Sequence, residues 1–506
     1  MNIKEAKEQI MKTVKIYLQK DEYGDYAIPY VRQRPIFMVG APGIGKTAIM
    51  EQIAQELDIG IISYSMSHHT RQSALGLPFI THKEYDGKTF DISEYTMSEI
   101  IATIYKTMNL SGMREGILFL DEINCVSETL APTMLQFLQM KKFGTHAMPP
   151  GWIIVTAGNP PQYNRSVREF DIATMDRLKI IDVEPDYKVW REYATTRGIH
   201  GAVLSYLDIR KHDFYTIETS AKGKNYVTAR GWEDLSAMLY MYEQNDYIVN
   251  QTFVIQYLKH EEIATDFAVY YELYNKYKSD YEVETILAGQ ASEEVNKRAV
   301  MANFDERLSL LGILLNVLHA KIRMFLEREQ MIIKLRQIML VVKEERIGHR
   351  LDNLLREKTS LINKELKRRQ LANSISDEQR MTDKILMRTL NDMLRLAVLH
   401  SDDQEAAFHQ TRDAFNEAVH SLEDEREEIR VMMDNIFRFV EDNWGISKEM
   451  VIVVNDLTMN ASTAQFIAEN GCDKYYTYNK ELLFTDKKQA LLHEIRDAEY
   501  FIPVSS

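Results

Sequence analysis

A chain of 506 residues is too long for one hydrophobic core, so about two to four domains are expected. Hydrophobic residues at 45% and charged residues at 27% are ordinary for a soluble globular protein, and a net charge of −14 counts against a general polyanion binder, though not against a local basic strip. Cys125 and Cys472 are the only cysteines, which excludes a disulfide framework, and Met1 to Lys7 alternates charges without an apolar signal core, so a cytoplasmic location is expected.

In chain order, residues 3–20 read as a leading helix that ends near Gly24, with Arg32 and Arg34 just ahead of the first strand. Ile36-Phe37-Met38-Val39 is an apolar run of strand type, and residues 48–57 have the period of an amphipathic helix. Between them lies Gly40-Ala41-Pro42-Gly43-Ile44-Gly45-Lys46-Thr47, which fits G-x-x-x-x-G-K-[ST] without a mismatch and runs on into Ala48. A strand, a glycine loop and a helix in that order form a phosphate cradle: backbone N–H groups turn toward the anion, and the helix adds its positive end. Lys46 is expected to reach the β- and γ-phosphates, and the Thr47 hydroxyl to ligate Mg²⁺. The motif therefore points to a nucleoside triphosphate.

A second strand is expected at Ile61 to Ser65, followed by a polar, turn-rich stretch from His68 to Pro78. Adjacent side chains diverge, so His68 and His69 read as part of a polar loop in preference to a metal pair. Residues 93–110 are expected to be helical. Gly116-Ile117-Leu118-Phe119-Leu120-Asp121-Glu122 then gives four apolar residues followed by two carboxylates, the Walker B pattern, about seventy residues after the phosphate loop. Asp121 can ligate Mg²⁺ through its waters, and Glu122 can take a proton from an attacking water as general base.

A helix over 127–140 leads to the strand Gly151 to Gly158, which ends on Asn159-Pro160-Pro161. Asn159 could orient the hydrolytic water, although Asn-Pro alone is an ordinary turn signal. A short helix, the pair Asp176-Arg177 and a fifth strand follow. Strands that alternate with helices imply a parallel sheet covered on both faces.

GAPGIGKT, ILFLDEIN, VTAGNPP and DRL at these spacings resemble the AAA+ ATPases, and within them the MoxR-type branch, related to the magnesium-chelatase ATPase subunit and the dynein ATPase modules. HTRQSALGLP and MLQFLQMKKFGTHAMPPGW are similar to that branch too. The resemblance implies an α/β P-loop core, a parallel five-stranded sheet between helices, with a helical lid and a largely α-helical C-terminal region. It gives Asn159 the sensor-1 role and Arg177 the arginine-finger role on a neighbouring subunit's ATP; Arg165 and Arg168 stand close by as alternatives. Thr228-Ala229-Arg230 opens a helix where the lid of such proteins carries sensor 2, so Arg230 would contact the γ-phosphate from the same subunit; a solvent-facing arginine is the bland alternative. Expected bounds are 1–184 for the nucleotide core, 185–278 for the lid, 279–445 for a long-helix bundle or arm and 446–506 for a small tail module.

Beyond 280 glycine and proline nearly vanish. Leu311, Leu315, Leu318, Ile322 and Phe325, then Ile332, Leu335, Met339 and Val342, keep helical spacing. The most apolar segment, Leu308 to Leu326, is broken by Asn316, His319, Lys321 and Arg323 and reads as a packed helix, with no membrane span expected. Residues 374–377 read as a loop, Ser401-Asp402-Asp403 as a cap on a helix to about Trp444, and Lys367 to Arg369 and Glu423 to Glu428 as solvated charged faces. His212 and the surrounding tyrosines are expected to pack within the lid. An apolar run, Met450 to Val454, precedes a helix from about Ala461 to Asn470 closed by Gly471, and then a tyrosine-rich tail through Leu483.

Three functions compete. The first is an ATP-hydrolysing ring that remodels or matures partner proteins; the resemblance implies a hexamer and a partner with a von Willebrand factor type A domain, with the client unidentified. The second is a nucleic-acid-acting motor or restriction-type NTPase, against which the acidic balance counts. The third is a slow nucleotide-switch scaffold, against which the intact Asp121-Glu122 pair counts.

Overall fold

A computed structural model describes residues 1–480 except Arg71, Ser73, Leu75, Asn164, Arg165, Ser166, Glu169, Ala221, Lys222 and Ser401. The expectations for Arg165, for Ser401 as a cap and for the tail from Glu481 onward lie outside the described residues, as does part of the polar stretch after the second strand. The chain divides into two compact units. One comprises 1–189, 228–230 and 337–408; the other comprises 190–227, 231–336 and 409–506.

The first unit is built on a sheet of β1 (Ile36–Gly40), β2 (Gly60–Ser65), β5 (Gly116–Asp121), β8 (Trp152–Gly158) and β9 (Lys179–Val183), in the order β2-β5-β8-β1-β9. All neighbours are parallel, so every strand ends on the same edge. Helix α1 (Ile3–Leu18) precedes β1, and α2 (Lys46–Glu56), α3 (Glu99–Ser111), α4 (Ala131–Met140) and the short α5 (Ile172–Met175) lie between successive strands of the sheet. The expected five-stranded parallel sheet between helices is present. Ile117 to Leu120 are fully buried, which is why β5 reads as one apolar run. Each such side chain contributes about 1.5–3 kcal/mol through burial. Phe37, Ile62, Leu118, Ile154, Ile100, Ile104 and Phe137 lie in one continuous core.

The helix expected over 93–110 begins only at Glu99. Residues before it form an antiparallel ribbon of β3 (Pro78–Tyr85) and β4 (Lys88–Tyr95). Asp86 and Gly87, both at positive φ, make the tight turn that an Asp-Gly pair favours between β-prone segments. A two-residue pairing, β6 (Lys142–Phe143) with β7 (His146–Ala147), follows α4.

The second unit carries, with the last residues of the first, α6 (Tyr187–Arg197), then α7 (Gly201–Ile209), the hairpin β10 (Thr216–Ser220) and β11 (Gly223–Val227), and α8 (Ala229–Gln244). Next come α9 (Gln251–Val254), α10 (Glu261–Asp280), α11 (Val283–Leu287) and α12 (Glu293–Met301). Tyr206, Trp232 and Phe267 pack ring to ring as expected of the aromatic cluster. His212 does not pack with them: its side chain is 77% exposed and pairs with Asp213 at 3.1 Å, because it sits on a turn after α7.

Two helices run through both units, α13 (Phe304–Glu345) and α16 (Gln404–Trp444), and between them α14 (Leu351–Leu371) and α15 (Asp377–Leu399) form a hairpin within the first. α13 is long and apolar enough to cross a membrane by length and composition, and 56% of its most apolar stretch is buried inside the protein. Leu311, Leu315, Leu318, Ile322 and Phe325 form that buried stripe. The acidic stretch of α16 is only partly solvated, since Glu425 pairs with Arg328 and Glu428 with Lys321. The apolar run at 450–454 belongs to α17 (Lys448–Met459), and α18 (Ala461–Asn470) is closed by Gly471 as expected.

Candidate active site

Parallel strands place their carboxyl ends on one edge, where an open α/β sheet forms its ligand crevice. Gly40, Asp121, Gly158 and Ser65 stand at those ends of β1, β5, β8 and β2. From Gly40 the chain turns through Ala41, Pro42, Gly43, Ile44 and Gly45 into α2. Gly43 at φ +72° and Gly45 at φ +94° take left-handed conformations that side chains resist, and a Cβ on Gly43 would also lie 3.0 Å from Thr228. The turn exposes N–H groups at the start of α2, which makes an anion site.

Lys46 is buried. Its ammonium donates to the carbonyls of Gly40 and Ala41, both at 2.8 Å, and to Asn159 Oδ1 at 3.0 Å. An ammonium has three protons, so all are used. Burial lowers its pKa to about 8, opposed by the carboxylates of Asp121 and Glu122 and reinforced by the charge of Arg230. Thr47 Oγ1 donates to Asp121 Oδ2 at 3.3 Å, while Asp121 Oδ1 accepts from the Glu122 N–H at 2.8 Å. Two adjacent hard oxygens of this kind are ligands that Mg²⁺ takes, so Thr47 and Asp121 fit such an ion.

Glu122 stands in the left-handed region at φ +56°, which turns its side chain away from the strand direction. Its Oε2 accepts from Ser67 Oγ at 2.5 Å and from Ser65 Oγ at 2.9 Å. The Ser67 hydrogen bond, then that of Ser65, and the nearby His68 and Lys46 hold this carboxyl below its usual range against the effect of burial. Neither serine was singled out by sequence. Ser65 lies opposite Asp121 in the β2–β5 pairing, so only the register of two strands about fifty residues apart brings it there.

The structure thus gathers Lys46, Thr47, Asp121, Glu122 and Asn159 at one strand edge. Arg230, exposed at the start of α8, is near enough for its charge to act on Lys46. Arg177 is not in this cluster: it is exposed, and its guanidinium donates to Ala173 O at 2.8 Å on its own short helix. Arg168 pairs with Glu128 at 2.5 Å.

Residues 36–176 match the family model for AAA, the ATPase family associated with various cellular activities. That segment runs from β1 through α5 and contains the phosphate loop, Asp121, Glu122 and Asn159, so the chain carries a nucleotide-binding AAA ATPase domain. The crystal structure of NtrX from Brucella abortus in complex with ADP is similar at 14% identity and a TM-score of 0.23, covering 40% of this chain and 40% of that chain. A likeness at that level carries no argument, and the match spans well under half of that protein. No curated protein matches the sequence.

Proposed function

We propose that this protein is an ATP-hydrolysing AAA+ ring ATPase of MoxR type that remodels or matures partner proteins. The observation that carries the hydrolytic part is the meeting of Lys46, Thr47, Asp121, Glu122 and Asn159 around one glycine loop. The loop N–H groups bind the phosphates of ATP, and the Lys46 ammonium exchanges its carbonyl partners for the β- and γ-phosphates. Thr47 and Asp121 would hold Mg²⁺, which when bound would supply positive charge against the phosphates. Glu122 leaves Ser65 and Ser67 to take the proton of the attacking water, which Asn159 orients. Arg230 reads the γ-phosphate within the subunit.

Arg177 is exposed and lies outside the cluster of its own site, which suits a finger that completes the neighbour's site and makes a closed ring, six-membered by resemblance, the working form. The von Willebrand factor type A domain partner and the maturation role rest on the sequence resemblance. Titration with such a domain should alter turnover or co-elute with the ring, and failure of both would remove that partner.

The direct test of the site is Glu122→Gln. It should cut ATP turnover by about 10²–10⁴-fold while ATP binding persists. Unchanged turnover would overturn Glu122 as the base.

A further inference from the structure

Beside the groups already given roles lies a buried polar side chain, Asn124. It is 5% exposed and sits in the short turn that begins at Glu122 and is closed by the Cys125 N–H donating to Glu122 O at 2.9 Å. Its Nδ2 donates to the backbone carbonyl of Asn159 at 2.9 Å. Its own backbone carbonyl accepts from the Arg168 N–H at 2.9 Å. Its amide lies flat on the end of β8, where a Cβ on Gly158 would come within 2.5 Å of Asn124 Oδ1. Only glycine admits that approach.

We propose that Asn124 is a positioning residue that fixes the Asn159 backbone to the turn bearing Glu122 and links both to the segment bearing Arg168. This rests on the hydrolytic reading of the site. Lys46, Asn159, Asn124 and Arg168 form one continuous hydrogen-bonded series. When phosphate draws Lys46 away, the Asn159 side chain is released while its backbone stays clamped. The freed amide therefore swings about a fixed point toward the water that Glu122 activates. The same clamp passes any shift of the Glu122 turn to the Arg168 backbone. Asn124 touches neither substrate nor reacting atoms in this scheme, and it acts through Asn159.

The test substitutes Asn124→Asp, which keeps the shape but replaces the Nδ2 donor by an acceptor facing a carbonyl. The kcat for ATP should fall about tenfold to a hundredfold with KM held within about twofold. In an Asn159→Ala background the same substitution should cost almost nothing further in kcat, because the two act as a unit. Equal losses in both backgrounds, or an unchanged kcat, would overturn the proposal, whereas a wild type without turnover would sink the hydrolytic reading instead.

Discussion

The ammonium of Lys46 donates to three protein oxygens, and its burial lowers its pKa to about 8. Phosphates set beside it favour the charged form, so binding ATP must take up a proton wherever the free protein has lost it. Below pH 8 the lysine is already charged and affinity is flat. Above pH 8 affinity should fall by up to about tenfold per pH unit. Calorimetric titration with a non-hydrolysable ATP analogue at pH 7, 8 and 9 checks this, and an affinity constant across that range would contradict it. Glu122 shows the opposite displacement, held down chiefly by Ser67 and then Ser65. In Ser67→Ala that donor is gone and the carboxyl pKa rises. A base must be deprotonated to act, so the acid limb of the kcat/KM profile, which reports the free enzyme, should move to higher pH in this variant. An acid limb that stays in place would mean that Glu122 does not govern it.

Among elements, the strand, phosphate loop and helix around Lys46, and the strand ending on Asp121 and Glu122, were legible because each is a contiguous run whose burial fixes its pattern. Asp86-Gly87 was an available hairpin signal, yet the β3–β4 ribbon went unread because its flanks mix charged and aromatic residues without clean alternation. Ser65, Ser67 and Asn124 were not legible, since their partners are set by strand register and by loops that meet only in three dimensions. Nor was the place of the α14–α15 hairpin, which falls within the expected long-helix bundle or arm. Its tip lies on the free edge of β2, where Ile61 N–H donates to Ala372 O at 2.9 Å. A covered edge is a guard against strand-to-strand association. Arg368 and Arg369 approach Asp58 at 3.9 and 3.8 Å on the exposed side of that contact. Such pairs are screened, so Arg368→Ala with Arg369→Ala should lower urea stability by no more than about 1 kcal/mol. A loss above about 3 kcal/mol would mean that these pairs, and not the buried backbone contact, hold the tip. The second unit has a different kind of fastening. His319 is buried between Thr463 and Asp456 at 2.7 and 2.5 Å, and Arg191 joins Asp456 to Asp208. Burial alone would raise the Asp456 carboxyl, but His319 and Arg191 hold it below its usual range. Its stabilisation is therefore present above about pH 4 and is lost as pH falls through the depressed value. Removing the imidazole in His319→Ala should cost about 3 kcal/mol in the unfolding of this unit. A change below about 1 kcal/mol would show the network to be dispensable.

At the scale of the molecule, one chain brings together a phosphate loop, two metal-fitting oxygens, the Glu122 carboxylate and the Asn159 amide, while Arg177 is bonded to the short helix that precedes it. On the proposed ring reading, the site is completed by a neighbour, which would make turnover a property of the assembly and not of the chain. The decisive measurement is ATP turnover per subunit against protein concentration, with mass photometry on the same samples, for wild type and Arg177→Ala. The account predicts a cooperative rise in turnover as higher assemblies form, lost in Arg177→Ala although assembly and ATP binding persist. Turnover per subunit that is independent of concentration and untouched by Arg177→Ala would contradict it.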